Sequence, residues 1–402
     1  MAVSTRSDRP LYHAAASSFA STFAFAITAP FLPVYLHSQR GLTLSQIGIL
    51  FALLGIVRAG LQAVTGLLSD RIGRHGPLSI SQLLRAATLL VLALTISYNW
   101  PLGLLITLLT IDAFCAATFL PSLAALIGDL VPQSKQVWGF AVTRTARNLA
   151  WAIGPSIGGL IAEISYTWLF LLACLASAAS GLAFMWSWNN GAASYCGAKP
   201  TQALPSGNKT QRVFIGHCIL SFLLFLVVAQ LIVPLSLYAV TMANLSKAKL
   251  GFLYTINGGL IVCFQVLLSR SVHSFKLSTQ IVSGAFLFAL GYGVLGLRTG
   301  FVWFALVVSV VTLAEMILAP ASLALTSRLA PPNGAGKAMG IYNLFLETGW
   351  LLGPLYGSVY LNAFPQEPAL AWVGIASLAA VAAGGYLFLR RSLPLPIERD
   401  SA

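Results

Sequence analysis

The sequence predicts an all-α membrane protein with twelve transmembrane helices, arranged as two pseudo-symmetric six-helix bundles. Charged residues make up only 8% of the chain, against roughly 25% in an average soluble domain. Apolar residues make up 57%, and the mean hydropathy is +0.83. The apolar runs are unbroken and about 20 residues long, which is the length of a membrane-crossing helix, whereas barrel strands alternate over about 10. This composition excludes a soluble enzyme, a disordered chain and a disulfide scaffold.

Twelve predicted spans account for most of the 402 residues. Twelve helices of about 22 residues leave about ten residues for each connecting segment. Connections this short join antiparallel neighbours and leave no room for a folded soluble domain. The spans, numbered 1 to 12 in chain order, are predicted at 14–36, 45–68, 76–97, 101–127, 137–161, 167–188, 213–239, 249–271, 277–297, 302–325, 337–360 and 368–389.

The least apolar stretch between spans lies near the middle of the chain, at residues 189–212. It is rich in Gly, Ser, Pro, Asn and Lys, a composition typical of a flexible linker. We therefore predict an N-terminal six-helix bundle over 1–188 and a cytoplasmic linker over 189–212. A C-terminal six-helix bundle with a short cytoplasmic tail follows over 213–402.

Lys and Arg are distributed unequally between the two sides of the predicted membrane. With the N-terminus inside, fifteen of them fall in inner segments and four in outer segments. The positive-inside rule then places both termini in the cytoplasm. The same residues account for most of the net charge of +13, so we expect no nucleic-acid partner. The apolar run that follows the polar N-terminus is full length, so we predict a span there and not a signal peptide.

The two halves of the chain carry an ordered repeat. A shift of the first half by 203 residues superposes glycines, a glutamine and an acid on their counterparts: Gly48 on Gly251, Gly55 on Gly258, Gln62 on Gln265 and Asp112 on Glu315. A slip of four residues then aligns Gly154-Pro155 with Gly353-Pro354. Parallel repeats of this kind describe one transporter architecture, whose binding site lies between the halves near the bilayer midplane.

The loop between spans 2 and 3, residues 66–75, reads GLLSDRIGRH. It resembles the signature loop of the major facilitator superfamily, G-x-L-x-D-R-x-G-R-[KR], and departs from it only at His75. The resemblance implies an inner gate in which the acid and the arginines latch the halves in the outward-open state. The gate residues would be Gly66, Asp70, Arg71, Gly73 and Arg74, with Asp129 at the end of span 4 as a candidate partner.

Span 5 carries a second motif, which we call the Gly-Pro motif: Gly154, Pro155, Gly158 and Gly159. It is similar to the g-x-x-x-G-P-x-x-G-G motif of drug:proton antiporters in that superfamily, with Ala150 at the first position. Proline kinks a helix by removing one backbone hydrogen bond, and the glycines offer a smooth face for packing against the other half. A purely structural kink is the alternative. The resemblance favours efflux over uptake.

Two features of many exporters in the family are absent from this sequence. Leu109 stands where an arginine of span 4 is expected, and span 1 contains no acidic residue. Proton coupling would therefore need acids elsewhere. Seven ionisable residues fall inside predicted spans away from the span ends, and each costs roughly 2.5–3.5 kcal/mol at the midplane unless it is paired or hydrated. They are Arg58, Arg85, Asp112, Arg144, Arg147, Glu315 and Glu347.

The three acids are the proton-coupling candidates. Asp112 and Glu315 are repeat-related, and both lie about 15–20 Å from the outer face at 1.5 Å per residue. In the fold that the resemblance implies, they belong to cavity-lining spans. The alternative for Asp112 is a static ion pair with Arg58, Arg144 or Arg147. We expect a structural role for Arg85, since its span is usually peripheral.

An apolar cavity with aromatic walls would suit amphipathic compounds. Arginines and an asparagine on span 5 could instead bind an anionic substrate. We expect His217 to be a helix-end residue and not a proton carrier. The substrate-cavity candidates are Arg58, Arg144, Arg147, Asn148, Phe25, Phe31, Phe225, Tyr254, Asn257 and Tyr342.

These features predict a secondary active transporter that works by alternating access. We expect proton-coupled efflux of small amphipathic compounds across an inner membrane, by a monomer whose partners are its substrate, protons and the lipid bilayer. One alternative is a proton-linked transporter of an anionic metabolite, such as a carboxylate or a sugar phosphate. Another is a transporter-like sensor or lipid-handling protein. No nucleophile–base set or metal-ligand spacing is present, so we predict neither an enzyme nor a metal site, and no cofactor beyond the proton gradient.

Overall fold

The computed structural model describes residues 9–72, 75–130, 136–189, 208–330 and 335–393. Fourteen α-helices run through these ranges. Their bounds are α1 Arg9–Thr28, α2 Leu32–Ser38, α3 Leu44–Ile72, α4 His75–Ser97, α5 Leu102–Leu130, α6 Gln136–Ile164, α7 Tyr166–Asn189, α8 Asn208–Val228, α9 Val233–Leu237, α10 Lys247–Val272, α11 Leu277–Leu295, α12 Phe301–Leu329, α13 Ala335–Ala363 and α14 Pro368–Leu389.

These helices make up the twelve spans of the predicted all-α fold. Within the described ranges, ten candidate spans are long and apolar enough to cross a membrane. The long helices α6 and α13 complete the set, and both carry ionisable residues along their length. The predicted fold class is therefore confirmed.

Spans 1 and 7 are each broken, where the sequence predicts continuous helices. Span 1 divides into α1 and α2 around Pro30 and Pro33, and the second proline stands in the first turn of α2. Span 7 passes from α8 through a 3-10 turn to α9, which has Pro234 in its first turn, and ends in a π-helical turn at Tyr238–Met242. A proline ring removes one helical hydrogen bond and clashes with the carbonyl four residues earlier.

The chain forms two compact units. Unit 1 comprises Met1–Gly41, Leu53–Gly197 and Ser246–Gly258. Unit 2 comprises Leu42–Ala52, Ala198–Leu245 and Gly259–Ala402. The beginning of α3 therefore groups with unit 2, and the beginning of α10 with unit 1. Most of the predicted linker lies outside the described residues.

Each unit has its own buried interior. In unit 1, α4 packs along α7, and α1 lies against both α6 and α7. In unit 2, α11 packs between α12 and α14, and α8 lies against α13. An aromatic cluster packs in this second interior, where the Trp372 ring centroid lies 5.5 Å from those of Tyr238, edge to face, and Tyr292, stacked.

The internal repeat is visible as equivalent close packings. A Cβ at Gly251 would collide with the carbonyl of Pro155, since α10 lies directly on α6 there. The repeat-related Gly48 lies in the same way on α13, where a Cβ would come within 3.1 Å of the Pro354 carbonyl and 2.9 Å of the Leu355 Cα. Gly48 and Gly251, which coincide in the shifted sequence, therefore make the same kind of contact, one in each unit.

Candidate functional site

Arg85 and Asp112 form a buried ion pair in unit 1. The Nε atom of Arg85 lies 2.8 Å from Oδ1 of Asp112, and the side chains are 4% and 19% exposed. Nη1 of Arg85 also donates to the Ser21 carbonyl at 3.4 Å. The guanidinium carbon lies 6.0 Å from the centroid of the Phe25 ring. One arginine therefore ties α4 to the acid on α5 and to the backbone of α1.

The position of the pair explains why both charges are tolerated. Asp112 lies ten residues beyond the first residue of α5, which is about 15 Å along the helix. A carboxylate at that depth needs a charged or hydrogen-bonding partner. Its partner in the structure is Arg85, and not one of the three arginines proposed from the sequence. The α4 helix packs along α5, so Arg85 lies within reach of Asp112, and the ion pair is compatible with the structural role expected for Arg85.

An aromatic pair extends this cluster towards α6. The rings of Phe25 and Trp151 meet edge to face, with centroids 5.8 Å apart and an interplanar angle of 77°. Trp151 follows Arg147 by four residues and Arg144 by seven, so the three share one face of α6. Arg147 is half-buried and Arg144 exposed. Sequence reasoning missed Trp151, although its spacing from the arginines indicates a common face.

The Gly-Pro motif presents two adjacent faces of α6. Gly154 and Gly158 face α1, where a Cβ at Gly154 would lie 2.9 Å from Ala26 Cβ and one at Gly158 would strike the Ile27 carbonyl. Gly159 faces the first turn of α10, and a Cβ there would come within 3.1 Å of the Ala248 Cα. The motif thus allows backbone-to-backbone approach on both faces. Only the face with Gly159 packs on a helix from the second half of the sequence, α10.

Two opposite charges cap the meeting ends of α6 and α10. The Nζ of Lys247 donates to the Ala162 carbonyl at 2.8 Å, and Oε1 of Glu163 accepts the Ala248 amide at 3.1 Å. The same Nζ lies 4.5 Å from the centroid of the Tyr166 ring. Each helix end thus receives the charge that its dipole favours. The sequence indicates this contact through an acid just after predicted span 5, Glu163, and a base just before predicted span 8, Lys247.

The acids of unit 2 occupy different environments. Glu315 lies at the middle of the 29-residue α12 and is half-buried, whereas Glu347 on α13 is exposed. Each takes part in a further interaction. Their roles as proton carriers, like that of Asp112, stay predictions.

The predicted cavity residues divide by burial. Phe31, Tyr254 and Tyr342 are at most 2% exposed, so packing accounts for their positions. The other cavity candidates keep partial or full exposure, and these are Arg58, Arg144, Arg147, Asn148, Phe25, Phe225 and Asn257.

His217 is the centre of a buried polar cluster in unit 2 that sequence reasoning did not find. Its Nδ1 lies 2.8 Å from the Tyr386 hydroxyl, and its Nε2 lies 3.0 Å from Oγ1 of Thr326. The ring stacks on Tyr342 at 5.2 Å with an interplanar angle of 6°. The expectation of a helix-end residue is wrong, because α8 begins at Asn208 and His217 is fully buried.

The structure describes the predicted gating loop only in part. Gly73 and Arg74 lie outside the described residues. The backbones of Gly66, Asp70 and Arg71 are helical in α3, and Asp129 is helical in α5. The latch between these residues stays a prediction.

Twelve spans with a parallel internal repeat are the architecture of a class of polytopic membrane transporters. The chain belongs to the Major Facilitator Superfamily, whose family model matches residues 14–354. This confirms the resemblance seen in the sequence motifs, and it makes the protein an integral multi-pass membrane protein that moves small molecules.

Relatives in bacteria share most of the length of the chain. The uncharacterized MFS-type transporter YttB of Bacillus subtilis is 26% identical over 346 residues, which are 83% of this chain and 84% of YttB. The quinolone resistance protein NorA of Staphylococcus aureus is 24% identical over 360 residues, covering 88% of this chain and 90% of NorA.

Solved structures share the fold. A POT family transporter in complex with 5-aminolevulinic acid superposes with a TM-score of 0.79 at 17% identity, covering 96% of this chain and 97% of that one. A bacterial homologue of the human lysosomal transporter Spinster, in an inward-facing and unoccupied conformation, gives 0.75 at 14% identity. It covers 99% of this chain and 100% of that one.

Proposed function

We propose that the protein exports small amphipathic compounds in exchange for protons by alternating access, with Asp112 as the proton-accepting group. The observation that carries the proposal is the Arg85–Asp112 ion pair. It places an acid inside a span with 19% of its side chain exposed, against an arginine that is 4% exposed. The acid therefore keeps part of its surface exposed, and its charge is balanced by Arg85.

The pair offers a physical route from protonation to movement. A proton on Asp112 removes the charge that attracts Arg85, while the Ser21 carbonyl and the Phe25 ring still hold the guanidinium on α1. Arg85 then favours its contacts with α1 over its contact with α5. Because Phe25 touches Trp151, such a shift would reach the aromatic pair that we assign to an apolar substrate. Loss of the proton restores the pair and resets the site.

One motif and the name of one relative support export. NorA is named for quinolone resistance, and the Gly-Pro motif resembles that of exporters. The aromatic residues beside the ion pair suit a lipophilic ring system. Glu315 and Glu347 remain candidates for further proton sites, and we propose an inner-membrane monomer.

The test is proton release from energised everted vesicles, followed with a pH-sensitive dye. Lipophilic cationic or neutral compounds are expected to release protons in the wild type, and Asp112→Asn should abolish the response. Glu367→Gln is the matched control, since this acid is exposed and precedes α14. Unchanged release in Asp112→Asn vesicles with equal protein levels would refute the role of Asp112.

The arginines of α6 support a second candidate, transport of an anionic metabolite. Arg144 and Arg147 share the α6 face of Trp151, so two positive charges lie three residues apart beside the aromatic pair. In this case anions alone would release protons in the same assay. Under this candidate, Arg147→Gln would lose transport of the anion. Under the first proposal, the same variant would leave the export of cationic lipophiles intact.

A further inference from the structure

A cleft of about 160 Å³ lies in unit 2, at the end of the bundle where α10 turns into α11 and α12 ends. Its polar lining comes from Ser269, His273, Gln280 and Arg328. The apolar remainder includes Phe275 and residues of α12 from Met316 onwards. The cleft is separate from the ion pair of unit 1, and the proposed transport mechanism does not use it.

The charge around the cleft is positive. Arg270, His273 and Lys276 lie within seven consecutive residues around the end of α10, and Arg328 faces them from α12. The acids in the described part of the chain beyond residue 208 are Glu315, Glu347 and Glu367. Glu315 is thirteen residues before Arg328 on the same helix, which is about 20 Å away along the helix. The end of the cleft at Arg328 therefore favours an anion, whereas Glu315 adjoins the other end at Met316.

The hydrogen-bond donors around the cleft also favour a negatively charged ligand. Ser269 accepts a bond from Nε2 of Gln265 at 3.1 Å, so its own hydroxyl hydrogen is available for an acceptor. Gln280 donates to the Phe275 carbonyl at 3.0 Å, which fixes the connection that forms the rim. Lys276 is the N-cap residue of α11, and its side chain has no acceptor to offer the first-turn amides. The polar end thus presents donors and cationic groups.

The shape of the cleft distinguishes a lipid from a free anion. Its lining runs along α12 from Arg328 back to Met316, about 18 Å at 1.5 Å per residue. That length is close to half of a hydrocarbon core of about 30 Å. Phe275, which lines the cleft, is 56% exposed, so apolar surface flanks the basic end. A lipid headgroup matches the basic end and its acyl chain matches the apolar lining along α12. A soluble anion would occupy only the basic end.

We infer that this cleft binds an anionic phospholipid, with the phosphate at His273 and Arg328 and an acyl chain along α12. Basic pockets between membrane helices on the cytoplasmic side are known to hold anionic headgroups. The positive-inside count predicts that this end of unit 2 faces the cytoplasm. The site would tie the C-terminal unit to the acidic lipids of one leaflet.

Native mass spectrometry of the purified full-length protein tests the inference. Phosphatidylglycerol and phosphatidylethanolamine are titrated separately into the delipidated protein, and bound lipids are counted. We expect wild type to prefer phosphatidylglycerol. Arg328→Gln should lower that preference about fivefold, the loss that corresponds to one basic residue near an anionic surface. Arg328→Lys should retain it.

Matched controls separate the cleft from general charge. Arg391→Gln removes a positive charge near the C-terminal end of α14, and Arg298→Gln removes one between α11 and α12, at the opposite end of these helices. Both should bind phosphatidylglycerol like wild type. An equal loss in either control, or no loss in correctly folded Arg328→Gln, would overturn the inference. Displacement of the lipid by millimolar glycerol phosphate would assign the site to a soluble phosphate compound and would also overturn it.

Discussion

At the scale of single residues, the charges inside the spans are the most informative feature. Composition shows that these charges are few. Because each charged side chain costs free energy inside the membrane, each is expected to have a partner. The partner of Asp112 depends on which helix packs beside α5, and that helix is α4, which carries Arg85. Sequence spacing within one helix could not supply this, because the two residues lie 27 positions apart on different helices.

The ion pair has a structural role and a proposed functional role, and substitutions can separate them. Arg85→Gln strands the Asp112 carboxylate and should destabilise the protein by about 3–5 kcal/mol. The double variant Arg85→Gln/Asp112→Asn should recover most of that loss, because no charge is then left unpaired. Thermal unfolding of the detergent-purified proteins measures both effects.

The same double variant should still fail to release protons in everted vesicles. Stability without proton release would support Asp112 as a proton carrier. Recovery of proton release together with stability would instead assign the pair a structural role alone.

The buried cluster around His217 gives a second prediction at this scale. Tyr386→Phe removes the hydroxyl that contacts both His217 Nδ1 and Ser221 Oγ, and it leaves two buried polar groups with one partner fewer. The expected cost is about 1–3 kcal/mol, read as a lower unfolding temperature. Tyr98→Phe is the control, since Tyr98 is 68% exposed. Equal stability of the two variants would contradict the importance of the cluster.

At the scale of elements, glycines determine how closely the helices approach. Gly158 and Gly251 each admit a backbone carbonyl where a side chain would collide. These residues can be recognised in the sequence as a motif or as a repeat, but the helix they face cannot. The Gly-Pro motif packs on α1 through Gly154 and on α10 through Gly159, and that division depends on the rotation of α6 about its axis.

Adjacent glycines in α10 provide a test with its own control. A Cβ at Gly258 would lie 2.6 Å from the Ala152 Cα, whereas a Cβ at Gly259 would meet no atom within 4 Å. Gly259→Ala should be neutral or stabilise by up to about 1 kcal/mol, because alanine favours a helix. Gly258→Ala should push α10 from α6 and lower the unfolding temperature. Gly258→Ala should also transport more slowly than Gly259→Ala. If Gly258→Ala changes neither stability nor transport, the close contact between α10 and α6 is not required.

At the scale of the whole molecule, duplication and charge placement organise the chain. The shift of 203 residues pairs Gly48 with Gly251, and each of them packs on the proline-containing helix of its unit. The two compact units each include a short segment from the other half of the sequence. A local sequence pattern does not report such an exchange, because it depends on contacts between residues far apart in the chain.

Orientation is the prediction that belongs to this scale. The fifteen-to-four distribution of basic residues predicts that both termini face the cytoplasm. Fluorescent-protein fusions at either terminus should fluoresce, and alkaline phosphatase fusions there should be inactive. A phosphatase inserted after Gly41, between α2 and α3, should be active. An active phosphatase at the C-terminus would mean an odd number of spans or the opposite orientation.

The sequence by itself determined the membrane environment, the twelve spans, the repeat and the family. These properties follow from hydropathy and from motifs, which are local or periodic and need no knowledge of neighbours. Only the tertiary structure decided that Arg85 is the partner of Asp112, that His217 is buried among Tyr342, Tyr386 and Thr326, and that Lys247 caps α6. Each of these contacts joins different helices, and their packing is set by side-chain shape over the whole unit.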